Sequence, residues 1–179
     1  MQHTLIFVII ALIIGLTFTV TKWRGGLHMT FSQHVVATRW SKVFYALLFL
    51  VTLPVFVWFV AAWFVPHKHL PEAFLWLTYV AVLFQILCTW VPEEGGRRTT
   101  IHRTSTGISG VAMLPLVIIL ATSANFSLLV RLTAWAAFGF MVALLAVALR
   151  HQRGHRWALL LQIGYYAAFF LVMLLATYL

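Results

Sequence analysis

Aspartate is absent from this sequence of 179 residues, and glutamate occurs only as Glu72, Glu93 and Glu94. That scarcity excludes the usual aspartate-built sites: metal centres, phosphoryl-transfer centres, carboxylate proton relays and the paired aspartates of phosphatidyl transfer. Cysteine is nearly absent too. Cys88 stands alone in an apolar segment, so no disulfide can form within the chain. Charged residues make up 8%, against roughly 25% in an average soluble domain, so water is not the solvent for most of this chain. The opposite side of the balance is 63% hydrophobic residues and a mean hydropathy of +1.00. A net charge of +9 would point to nucleic acid in a soluble protein, but here it is first a matter of membrane topology. No nucleic-acid partner is expected.

A bilayer core of about 30 Å needs roughly 20 apolar residues in helical form, because lipid offers no partner to a backbone N–H or C=O. Stretches near residues 4–20, 43–65, 72–91, 107–123, 128–149 and 157–178 meet that need. The expected fold is therefore all-α: a single domain, 1–179, made of six transmembrane helices. Pro66 and Pro92 follow expected helix ends, Pro71 suits a first turn, and Asn125 or Ser127 can cap the fifth span.

Lysine and arginine then set the orientation. Lys22, Arg24, Arg39, Lys42, Arg97, Arg98, Arg103, Arg150, Arg153 and Arg156 fall on one side, and only Lys68 and Arg131 on the other. This asymmetry in short loops places the basic side in the cytoplasm and both termini outside it, in a multi-pass protein of the inner (plasma) membrane. No basic residue precedes the first span and no small-residue cleavage pattern closes it, so it reads as an uncleaved anchor. Trp23, Trp40, Trp90 and Trp157 fall at headgroup depth. Small residues four apart, Gly139 with Ala143, Gly164 with Ala168 and Thr106 with Gly110, predict close helix contacts, above all between the fifth and sixth spans. Pro54 and Pro115 lie inside spans and predict bends.

Few motifs carry chemistry. Gly107-Ile108-Ser109-Gly110 resembles the Gly-x-Ser-Gly of rhomboid proteases. Rhomboids supply a histidine base within the sixth helix, whereas residues 157–178 contain none, and the serine would sit at the wrong end of its span. The small residues read instead as packing. None of the eight histidines lies deep in an expected span, so neither haem nor a metal is expected, and no cofactor is assigned. Polar groups inside the spans are neutral: Thr52, Tyr79, Gln85, Gln162, Tyr165 and Tyr166. Gln85 and Gln162 are the candidate cavity-lining residues, with an interhelical hydrogen bond as their simpler role.

The connection 92–106 is the most informative segment. Arg97, Arg98 and Arg103 can donate to phosphate oxygens, and Thr104 or Ser105 can cap the following helix, whose free amides favour an anion. Glu93 and Glu94 can instead pair with those arginines and fold the loop onto itself. The candidate lipid- or anion-binding set is Arg97, Arg98, His102, Arg103 and Ser105. In the long connection 21–41 a helix is expected from Ser32, lying along the interface or extending the second span, with His34 and Arg39 brought towards the Arg97 to Arg103 loop.

Trp90-Val91-Pro92 closing the third span and Ile101-His102-Arg103 leading into the fourth resemble small bacterial six-helix membrane proteins of unknown function, distantly similar to the DRAM-like superfamily. The resemblance implies a six-helix bundle and supplies no catalytic residue. The reading reached from sequence is a noncatalytic membrane protein that binds anionic phospholipid, or a membrane-protein partner or second copy, through its basic face. Transport of a lipid or small neutral solute is the alternative, and a membrane-embedded enzyme ranks below it.

Overall fold

A computed structural model describes residues 1–23, 25–150 and 156–179. Among them the chain is all-helical, with no strand, and six helices are long and apolar enough to cross a membrane. The helices are α1 (His3–Lys22), α2 (Phe31–Val35), α3 (Arg39–Phe59), α4 (Val65–His67), α5 (Glu72–Trp90), α6 (Gly96–Thr122), α7 (Leu128–Arg150) and α8 (Ala158–Tyr178). Each long helix packs on its neighbour in sequence, and α8 returns to touch α6 and α1. Tyr178 Oη donates to Gln2 O at 3.1 Å, so the two termini meet at one end of the bundle. The opposite, basic end carries α2, the α5–α6 connection and the start of α8.

Two boundaries differ from expectation. The second span starts at Arg39 and runs through Pro66 to His67. Thr38 and Ser41 fix its start by exchanging backbone and side-chain hydrogen bonds at 3.0 Å each way. Near its far end a proline ring crowds the carbonyl one turn back, and residues Val60–Phe64 widen into a π-helical turn that lets the helix continue past Pro66. The fourth helix starts at Gly96 rather than 107, because hydropathy marks where a helix enters lipid, whereas a polar helix forms equally well outside it. Gly95 (φ 96°) and Gly96 (φ 53°) make this reversal with positive φ, open at low cost only to glycine.

Side chains tie α5 to α6 at two levels. Ser109 Oγ donates to Ala81 O at 2.9 Å, and His102 Nδ1 lies 2.8 Å from Cys88 O and 2.9 Å from Val91 O. Two carbonyls converge on that nitrogen, so Nδ1 carries a proton and serves the orphan carbonyls that end α5. The helices of the fifth and sixth spans do meet, but through Gly164, against which Leu144 and Phe140 pack. Gly139 and Ala143 face outwards. Helix phase decides this, and spacing alone does not report it.

Beyond α4 the chain turns with His69 in the left-handed region (φ 49°), its N–H donating to Pro66 O. Asn125 Nδ2 braces the turn from the α6–α7 connection, donating to Lys68 O at 3.0 Å and to His69 O at 3.3 Å. A left-handed non-glycine residue costs about 1–2 kcal/mol, offset in part by the chain entropy that glycine loses on folding. His69→Gly is therefore expected to stabilise the protein by roughly 0.5–1 kcal/mol, and the β-branched His69→Val to destabilise it. Thermal melts in detergent check this; a lower melting temperature for the glycine variant would remove the strain assigned to His69.

Candidate functional site

The basic end is built around Glu93, whose side chain is 10% exposed. Its Oε1 receives Arg103 through Nε at 2.7 Å and Nη2 at 2.5 Å, and its Oε2 receives Gln33 Nε2 at 3.1 Å. Gln33 also accepts from Thr30 N at 3.0 Å, fixing the start of α2. The backbone amide of Phe31 is taken by Gln162 Oε1 of α8 at 3.1 Å, and Leu159 N donates to Leu27 O. Residues 27–35 are thus pinned across the bundle mouth by α6, the α5–α6 connection and α8. Phe31 and Val35 point inwards and are buried.

The candidate anion-binding residues are separated by this geometry. Glu94 pairs with Lys42 and with Arg98, the latter at 2.5 Å, and these two cations hold its carboxyl below the usual carboxylate range. Arg103 pairs with Glu93, while Arg97 is exposed and forms no ion pair among the described residues. His102 is buried and committed through Nδ1 to the end of α5. Ser105 is also buried, two turns and more inside α6, so neither it nor Thr104 is placed to cap the helix. The connection between α1 and α3 does meet the α5–α6 connection, but through Gln33, with Lys42 of α3 beside it; His34 turns inwards, with Nδ1 2.9 Å from Thr30 O, and Arg39 is exposed. Arg24, His151, Arg153 and His155 lie outside the described residues.

Beneath α2 lies a chamber of about 340 Å³, between α2, α6, α7 and α8. Arg103, His102, Glu93, Thr30, Ser32 and His28 give it a polar rim, and Tyr165, Tyr166 and Gln162 line it deeper. At Gly107 an added Cβ would meet nothing within 4 Å, and at Gly110 only the Tyr165 hydroxyl at 3.9 Å. Here the small residues of α6 leave space instead of closing a helix contact. Tyr165 Oη crosses that space and donates to Gly110 O at 2.6 Å.

A second cavity, about 310 Å³, lies within the spans and shares Gln162 and Tyr166 with the chamber. Gln85 lines it, accepting from Tyr166 Oη at 2.8 Å. Ser109 spends its proton on Ala81 O and approaches Gln85 Oε1 only at 3.4 Å, and among the described residues no histidine is hydrogen-bonded to it as a base would be. Among the described residues no three His, Cys, Asp or Glu side chains converge as metal ligands would. Two participants carry no advance signal in the sequence. Gln33 is one polar residue in a polar loop, and Tyr45, on the wall of the second cavity, is one aromatic among many.

Glu93 is the ionic link from α6 to α2, so Glu93→Gln is expected to speed amide hydrogen exchange in residues 27–35 while leaving α5 and α7 protected. The loss of a charged hydrogen-bonded partner is worth roughly 1.5–3 kcal/mol. Unchanged exchange at α2 would mean that apolar packing of Phe31 and Val35 holds this segment by itself.

Comparison of the chain with protein-family models, with curated proteins and with solved structures finds no match, so the chemistry of the site is the ground for its function.

Proposed function

We propose that this is a noncatalytic integral membrane protein that holds a phosphate-bearing lipid at its basic end, and that this end faces the cytoplasm of the inner (plasma) membrane. The observation carrying the reading is the chamber under α2. It joins a guanidinium and hydroxyl groups at its rim to an apolar wall of Leu144, Leu145 and Leu161. Arg103 spends Nε and Nη2 on Glu93, which leaves the two N–H groups of Nη1 without a partner among the described residues. Thr30 and Ser32 hydroxyls lie 2.9 Å apart on the same rim. Such donors suit phosphate oxygens, and the leucines suit the first carbons of an acyl chain. Arg97 adds long-range attraction for an anionic leaflet. A second reading, passage of a neutral solute or lipid, draws on the meeting of chamber and inner cavity at Gln162 and Tyr166.

Two measurements test the proposal. In a Cys88→Ser background, Arg97→Cys is expected to react with an impermeant maleimide only from the cytoplasmic side, and Ala124→Cys only from the other; the reverse pattern would overturn the orientation. For binding, native mass spectrometry with phosphatidylglycerol is expected to show weaker retention for Arg103→Gln and for the chamber-filling Gly107→Leu. Each basic contact at a membrane surface is worth about 1 kcal/mol, hence a several-fold loss. Arg150→Gln, exposed at the same end, serves as the comparison. Equal losses from Arg103→Gln and Arg150→Gln, with none from Gly107→Leu, would reduce the chamber to general surface charge.

A further inference from the structure

The inner cavity holds two polar side chains whose hydrogen-bonding capacity is unused. Tyr45, on α3, is 4% exposed and Gln85, on α5, is 6% exposed, and both line the cavity. Among the described residues the Tyr45 hydroxyl makes no hydrogen bond. Gln85 engages only its Oε1, leaving both N–H groups of Nε2 free. Neither atom is sealed off by protein, since among the described residues every fully enclosed side-chain polar atom has a partner. Their open edges therefore look into the cavity. The amide orientation follows from a proton count. Tyr166 Oη–H needs an acceptor and finds Gln85 Oε1; with the amide reversed, a third polar group of the cavity would be left without a protein acceptor.

A polar group left unpaired inside a membrane has no solvent to satisfy it, so two in one cavity call for a ligand. The surroundings limit its chemistry. No charged residue lines the cavity among the described residues, so a charged ligand would sit unpaired in apolar surroundings. Below the polar cluster the walls are Leu53, Phe56, Met113, Leu116 and Phe169. Gln85 lies five residues from the end of α5 and Tyr45 six from the start of α3, or about 8–9 Å inside the basic end at 1.5 Å per residue. Ile13 of α1 and Ile163 of α8 line the cavity and are also exposed on the outer surface, so its mouth opens to lipid between α1 and α8.

We propose that this cavity is a binding site for an uncharged lipid bearing a carbonyl on a single apolar chain, which enters between α1 and α8 and accepts hydrogen bonds from Tyr45 and Gln85. The site is independent of the phosphate chamber, which lies on the other side of Gln162 and Tyr166. A fatty ester and an isoprenoid-type quinone both present this chemistry. The test uses the full chain in nanodiscs and measures equilibrium binding of methyl palmitate, of decylubiquinone and of hexadecane, which has the chain without the carbonyl.

Wild type is expected to bind at least one carbonyl probe roughly tenfold more tightly than hexadecane, and which one identifies the source. Tyr45→Phe and Gln85→Leu are each expected to remove most of that preference while leaving hexadecane binding unchanged. Tyr45→Phe keeps the ring and its packing, so it decides the matter even if Gln85→Leu fails to fold. Equal binding of hexadecane and both carbonyl probes, no binding of any probe, or a preference untouched by Tyr45→Phe would each overturn the proposal.

Discussion

The Glu93 carboxylate joins three parts of the molecule. It lies in the α5–α6 connection, receives Arg103 from α6 and receives Gln33 from α2. In a chain with three acidic and twelve basic side chains, a carboxylate is the scarce component, and two of the three occupy adjacent positions at the crowded basic end. Glu94 bridges Lys42 and Arg98 beside it. The pair therefore performs two tasks, relieving repulsion among cations and fixing α2 across the mouth of the bundle. From that placement the rest follows: Phe31 is buried over the inner cavity, its amide occupies Gln162, and the space left under α2 becomes a chamber.

Much of the fold is legible because lipid enforces it. Apolar runs of sufficient length have no alternative to helix once inside a bilayer, so the six spans stand out in the sequence. What hydropathy cannot convey is helix outside lipid. Residues 97–106 are polar and read as a loop, yet they continue α6, since Gly95 and Gly96 reverse the chain directly after α5. Pro66 reads as a stop, yet a π-helical turn absorbs it. Partners are harder still, for they depend on helix phase. Gly139 and Gly164 look alike in sequence, but one faces outwards and the other receives a leucine.

The candidate site divides in the same way. Gln85 and Gln162 are conspicuous as amides in apolar segments, and both stand on cavity walls. The arginines are conspicuous as charges, but sequence does not reveal which of them an acidic neighbour has already engaged. Arg97 is open, Arg98 and Arg103 are paired, and His102 has turned to the carbonyls of α5. Tyr45 is legible only once the cavity is known, because its significance lies in a hydroxyl that has no hydrogen-bond partner among the described residues.

The order of packing along the bundle bears on its biogenesis. Each long helix rests mainly on the one made just before it, and only α8 reaches back to α1 and α6. A chain threaded into the membrane from its N-terminus can therefore dock every new helix on a neighbour already in place. The contacts that span the greatest length of chain, among them Tyr178 to Gln2 and Gln162 to Phe31, need α8 in place. Gln162, Tyr166 and Phe169 make α8 one wall of the inner cavity, so the last helix of the chain is the one that encloses its polar groups.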